Sequence, residues 1–162
     1  MTDEAALPPA PVDRCRSWIA DRTQPGADAH GRWVLDPSTA EPLSWVVFDP
    51  PASIDDVVAR ARRAAAPDGP WATSRRALAT ALRQVAAVIR SHAPELAALQ
   101  SMENGKTYRE SLLDDLPDTA DVFDYYAGWT DKVQGETNPV ESGALNYTLR
   151  EPVGVCALVV PW

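Results

Sequence analysis

A chain of 162 residues fits one ordinary domain and is long enough to bury a hydrophobic core. Its formal net charge of -8 argues against a surface dedicated to nucleic acid or anionic membrane, because both need a clustered positive field. The two cysteines, Cys15 and Cys156, stand far apart without the spacing of metal ligands, so we predict no metal site.

Residues 1–12 carry prolines and few large apolar side chains, and we predict a disordered tail without chemistry. The start of the chain is acidic where a secretory signal is basic. No apolar run approaches the roughly 20 residues of a membrane span. These features predict a cytoplasmic protein.

Short strand-like pieces follow at residues 16–20, 32–35 and 43–48, each centred on tryptophan or branched apolar side chains. Pro25-Gly26 and Asp36-Pro37-Ser38 supply turn residues between them. The opening third is therefore predicted to be a small antiparallel unit.

Helical spacing dominates the middle of the chain. Ser53 is predicted to cap a first helix, and a second begins near Ser74. His92 lies near the end of the second helix, where we interpret it as structural. A third helix over residues 94–103 is closed by Asn104-Gly105, a pair that tolerates the left-handed conformation.

A fourth helix is predicted from about Thr107 to Trp129, and it contains Pro117. Proline in a helix interior removes a hydrogen bond, so this helix should kink or restart near residues 114–116. Phe123, Tyr126 and Trp129 recur at helical spacing and are predicted to lie in the core.

The last segment returns to sheet patterns. Residues 136–140 and 144–150 flank a hairpin-length connection. Residues 153–160 are apolar throughout, as in a parallel strand buried on both faces, and Cys156 within them is interpreted as a small buried side chain. Such a strand needs neighbours on each side, and the sequence contains no later strand to supply them.

Four stretches together resemble the N-terminal third of the aldehyde dehydrogenase superfamily: LDPSTAEPL, SMENGKTYRES, DYYAGWTDKVQGE and YTLREPVGVCALVVPW. The resemblance spans roughly residues 16 to 162, in order and without large gaps. The combination of ENGK, YYAGW and EPVGV with a final PW is specific, whereas any one of these motifs alone is weak.

The resemblance implies an α/β fold: an incomplete Rossmann-like cofactor domain with an N-terminal helical layer and a β-hairpin oligomerisation arm. The strands and helices of the layer would occupy residues 13–133, the arm 134–151, and the first strand of the Rossmann-like sheet 152–162. The arm would join subunits into oligomers. In the family, the turn at residues 36–41 carries glycine where Ala40 stands, so a positive φ there would strain the β-carbon.

The resemblance also implies oxidation of aldehydes to carboxylates with NAD or NADP. Val159, Val160, Pro161 and Trp162 match the family segment that lies against the ribose on the nicotinamide side, mainly through backbone. The nucleophilic cysteine, the base glutamate and the oxyanion asparagine lie further downstream in the family. We therefore assign no catalytic residue within these 162 residues and expect the chain to be inactive alone.

Two other functions stay open. The chain would be a non-catalytic interaction protein if its arm paired with a full-length aldehyde dehydrogenase and regulated it. Alternatively, a separately encoded C-terminal fragment would complete both the sheet and the site.

Overall fold

The computed structural model describes residues 14–15, 18–19, 22–23, 31–48, 50–69, 74–141 and 143–160. The predicted disordered tail at residues 1–12 lies outside this part of the chain. The N-terminal portion contributes five strands: β1 (Arg14–Cys15), β2 (Trp18–Ile19), β3 (Arg22–Thr23), β4 (Gly31–Leu35) and β5 (Pro42–Val47).

Strands β4 and β5 form an antiparallel hairpin in which Trp33 lies opposite Trp45. The two indole rings meet edge to face with centroids 5.3 Å apart, a cross-strand aromatic pair of the kind that stabilises hairpins. Strand β1 pairs with the other edge of β5 in parallel, and β2 pairs with β3 separately. The prediction of an antiparallel unit is wrong for β1. The alternation of apolar and polar residues along one strand does not indicate the direction of a strand that is distant in sequence.

The turn from β4 to β5 is closed by its own backbone and side chains. The Asp36 amide donates to the Glu41 carbonyl at 2.9 Å, and the Ala40 amide donates to the Asp36 carbonyl at 2.7 Å. The Asp36 carboxylate also accepts from the Ser38 amide at 2.7 Å. Ala40 has a φ of 61°, so this alanine occupies the left-handed region that glycine prefers.

Helix α1 (Ser53–Ala64) follows the sheet, with Asp55 and Asp56 in its first turn. Its N-cap is Ala52, which makes no capping hydrogen bond with its side chain, so the prediction of Ser53 as the cap is wrong. The Ser53 hydroxyl instead donates to the Pro50 carbonyl at 2.8 Å, because the helix begins one residue earlier than the cap pattern indicates.

The helical layer continues with α2 (Arg75–Ser91) and α3 (Ala93–Asn104). Helix α2 begins next to Ser74, as predicted, and the Ser74 hydroxyl accepts from the Ala77 amide and caps it. Gly105 has a φ of 80° and ends α3, which confirms the predicted left-handed cap. His92 joins the two helices, and its Nδ1 atom lies 3.0 Å from the Val88 carbonyl, in accord with a structural role.

The fourth predicted helix is present but has three parts. Thr107 caps a short α4 (Tyr108–Glu110), a π-helical turn occupies Ser111–Asp115, and α5 runs over Leu116–Trp129. Pro117 lies in the first turn of α5, where its missing amide hydrogen costs least. The predicted restart near residues 114–116 is therefore confirmed. The α-helix is interrupted there by the wider π turn and resumes at Leu116.

Helices α2 and α5 pack antiparallel, since Arg75 at the start of α2 bonds Thr130 and Arg90 near its end bonds Asp121 and Asp124. The buried apolar residues of the described chain are all alanines: Ala79, Ala86, Ala97, Ala98, Ala120 and Ala127. Tyr126 and Trp129 are exposed on α5, so the predicted core position of these two aromatic rings is wrong for this chain. The third predicted ring, Phe123, is half-buried.

Strands β6 (Thr137–Asn138) and β7 (Asn146–Tyr147) form the predicted hairpin, with shorter strands than the sequence pattern indicates. Residues 151–160 then continue without helix or strand, and every one of them is exposed. The buried strand predicted at residues 153–160 is thus not formed within the described chain. The physical reason is that no described strand lies beside this segment to accept its backbone hydrogen bonds.

Candidate functional site

The predicted cofactor residues Val159 and Val160 lie in residues 151–160, which follow the hairpin of β6 and β7. The base of this segment is fixed where the Thr148 amide donates to the Glu136 carbonyl and the Thr148 hydroxyl accepts from the Glu136 amide, each at 2.8 Å. A β-carbon on Gly135 would collide with the Thr148 carbonyl, so the backbones approach there as only glycine allows. The hairpin therefore sets the direction in which residues 151–160 begin.

Val159 and Val160 lie at the end of this segment with 88% and 70% of their surface exposed. Pro161 and Trp162, the other two predicted cofactor residues, lie outside the described residues. An NAD-sized ligand is normally enclosed over most of its surface. The described residues around Val159 and Val160 provide backbone groups but do not enclose such a ligand.

Cys156 is exposed, which corrects the prediction of a buried side chain. The burial was inferred from apolar neighbours, and those neighbours are themselves exposed: Val153 is 91% and Leu158 is 87% accessible. The Cys156 sulfur contacts the Gly154 carbonyl at 3.8 Å. Within the described chain no imidazole or carboxylate hydrogen-bonds this thiol, and an activated nucleophile requires such a partner.

Lys106 forms an ionic cluster with two carboxylates. Its Nζ atom lies 2.7 Å from the Asp115 carboxylate and 3.5 Å from that of Glu110, and the Gln100 amide donates to Asp115 at 3.0 Å. The hydrogen bond with Asp115 raises the pKa of Lys106 above its ordinary value, and partial burial opposes this shift. The cluster ties the end of α3 to the π turn. Sequence reasoning missed it, although the four-residue spacing of Lys106 and Glu110 is a signal.

A second ionic cluster joins α2 to α5. Arg90 contacts Asp121 and Asp124 at 2.7 Å each, and hydrogen bonds with Asp124 first and Asp121 second raise the pKa of Arg90. Both carboxylates are substantially exposed, so this pairing orients the helices more than it stabilises them. In the part of the chain that is described, no group of three metal-ligating side chains occurs. Nor is any described helix long and apolar enough to cross a membrane.

The helical layer and the small antiparallel hairpins make this an α/β protein, and comparison with known proteins gives its family. The model of the Aldehyde dehydrogenase family matches residues 25–162. This chain belongs to the aldehyde dehydrogenase family.

Individual relatives agree. The chain is 38% identical over 129 residues to the mitochondrial aldehyde dehydrogenase family 2 member B4 of Arabidopsis thaliana, covering 79% of this chain and 24% of the relative. It is 36% identical to human aldehyde dehydrogenase 1A1, with 80% and 26% covered. The chain therefore spans about a quarter of the length of these relatives and corresponds to their N-terminal portion.

Solved structures show the same likeness. An aldehyde dehydrogenase from Bacillus cereus superposes with a TM-score of 0.71 at 34% identity, covering 82% of this chain and 27% of that one. The structure of a Bacillus cereus aldehyde dehydrogenase in complex with NAD+ gives a TM-score of 0.68 at 37% identity, with 76% and 25% covered. The predicted family resemblance is confirmed.

Proposed function

We propose that this chain is the N-terminal part of an enzyme that oxidises an aldehyde to a carboxylate with NAD or NADP. The match of the family model over residues 25–162 carries this proposal. The relative from Bacillus cereus that is seen with NAD+ supports the choice of cofactor class. The exposed, unpaired Cys156 supports a reducing compartment such as the cytoplasm.

In this proposal, residues 153–160 become the first strand of a Rossmann-like sheet when further strands are supplied. Two observations support the assignment: the segment is apolar along its length, and its backbone is not paired within the described chain. A strand with apolar side chains on both faces is stable when helices cover it above and below. Val159, Val160, Pro161 and Trp162 would then line the ribose on the nicotinamide side.

The 162-residue polypeptide alone should not turn over aldehydes, because the described chain neither encloses a cofactor nor activates a thiol. The test incubates the purified chain with NAD or NADP and a panel of aldehydes and follows the absorbance of reduced cofactor. A full-length aldehyde dehydrogenase in the same assay is the positive control. We expect no increase above the blank, and turnover that tracks the purified chain would contradict the proposal.

A second function is favoured by the hairpin arm. Leu145, Tyr147 and Leu149 are exposed on it, with Leu145 76% accessible, and an apolar face beside an open strand edge is a docking surface for another chain. Here the protein would bind a full-length aldehyde dehydrogenase and regulate it without catalysis. Co-purification with a longer dehydrogenase, lost on changing all three side chains to serine, is the expected result. A lone monomer under those conditions would count against this function.

A further inference from the structure

A cleft of about 290 Å³ lies between the start of α2 and the end of α5. Its floor contains Ala79 and Ala127, both buried alanines that hold the two helices together. Its rim carries Arg75, Arg76, Arg83 and Lys132, together with the carboxylate of Asp131. Four cations against one carboxylate give this small region an excess of positive charge in a chain whose net charge is -8.

Two of these cations, Arg75 and Lys132, already form hydrogen bonds with other groups of the protein. Arg75 donates from Nη1 to the Thr130 carbonyl at 3.0 Å, which fixes the start of α2 to the end of α5. Lys132 donates to Asp131 at 2.7 Å and to the Gly128 carbonyl. The hydrogen bond from Lys132, with a smaller contribution from Arg75, lowers the pKa of Asp131, and the charge of this carboxylate is balanced by the Lys132 ammonium.

Arg76 and Arg83 are different, because neither guanidinium makes a hydrogen bond or ion pair with another described residue. They lie seven residues apart on α2, which places them about 10 Å apart along the helix axis on one face. Ala79 lies between them at the cleft floor, so no large side chain separates the two guanidiniums. The positive end of the α2 dipole adds to the field at the Arg76 side.

We propose that this cleft binds a small molecule carrying a diphosphate or two separate phosphate groups, held between Arg76 and Arg83. Guanidinium forks match phosphate oxygens with two parallel hydrogen bonds each, which makes arginine suited to this ligand class. The cleft volume is near the lower end for small-molecule pockets, roughly 300–1,000 Å³, and exceeds what one phosphate ion needs. The site depends on α2, α5 and residues 130–132 that follow α5, and not on the proposed oxidation of aldehydes.

The test titrates inorganic pyrophosphate into the complete 162-residue chain by calorimetry, with sodium chloride balancing the ionic strength. We expect saturable binding that the double variant Arg76→Ala/Arg83→Ala weakens by at least about tenfold, the loss expected for a charge-assisted hydrogen-bond pair. Arg109→Ala is the matched control, since Arg109 is exposed on α4 and outside the cleft, and it should bind as the unchanged chain does.

Sulfate should bind more weakly than pyrophosphate, because one small anion cannot engage both guanidiniums. As a second readout, pyrophosphate should protect Arg76 and Arg83, but not Arg109, from an arginine-modifying dicarbonyl reagent followed by mass spectrometry. Absence of saturable binding, equal binding by the double variant, or equal affinity for sulfate would each overturn the two-point site. Because both arginines are exposed, their replacement leaves the alanine packing unchanged, and circular dichroism checks that the helices persist.

Discussion

At the scale of single residues, Ala40 is the clearest departure from what its backbone position favours. Its φ of 61° is the only positive φ of a non-glycine residue among the described ones. The turn around it is held by hydrogen bonds from the amides of Asp36, Ser38 and Ala40, so the chain keeps this conformation despite the β-carbon. The strain is stored locally and is a cost to folding.

Replacing Ala40 by glycine should therefore raise the free energy of unfolding by about 1 kcal/mol, because glycine adopts this φ without steric cost. Urea denaturation of the two proteins measures the change. Ala87→Gly is the matched control: Ala87 is exposed within α2, where the same substitution should lower stability by about 1 kcal/mol. Equal destabilisation at both positions would show that the turn is not strained at Ala40.

At the scale of elements, the π turn Ser111–Asp115 is the main irregularity of the helical layer, and it lies just before Pro117. Lys106 forms an ion pair with Asp115 in this turn. The bond from Lys106 to Asp115 spans from the loop after α3 to the last residue of the π turn. Its stabilising effect depends on the lysine being charged. Since the folded-state pKa of Lys106 is raised, that effect is present below the ordinary lysine pKa and is lost as the pH rises through the raised value.

The difference in melting temperature between the unchanged chain and Lys106→Met should accordingly shrink from about pH 8 to about pH 11.5, a range that crosses the ordinary lysine pKa. Differential scanning calorimetry at several pH values measures it. An Arg109→Met variant serves as control, because arginine stays charged throughout this range. A constant difference for Lys106→Met across the range would show that the ion pair does not stabilise the π turn.

Elements with local signals were predictable from sequence. The start of α2 near Ser74, the left-handed Gly105 and the restart before Pro117 each follow from the chemistry of one or two residues. The parallel pairing of β1 with β5 was not predictable, because it depends on chain segments far apart in sequence. The cleft at the start of α2 was also not predictable. The spacing of Arg76 and Arg83 places them on one helix face, but the cleft exists only because α5 packs beside that face.

At the scale of the whole molecule, the described chain buries little beyond six alanines and leaves many large apolar side chains accessible. Helical spacing of the aromatic residues and the unbroken apolar run at residues 153–160 led to the expectation of buried rings and a buried final strand. Tyr126, Trp129 and residues 153–160 stay exposed because burial needs opposing surfaces, and the described elements supply none beside them. The chain spans about a quarter of the length of its relatives.

The most direct test of this account is hydrogen exchange, followed by mass spectrometry or NMR, on the complete 162-residue chain in its monomeric form. Amides of residues 153–160 should exchange without protection, whereas amides in the packed parts of α2 and α5 should be protected. Exchange then reports whether the apolar segment has hydrogen-bonding neighbours. Protection of residues 153–160 in the monomer, at the level of α2, would contradict the claim that this strand needs partners beyond the described chain.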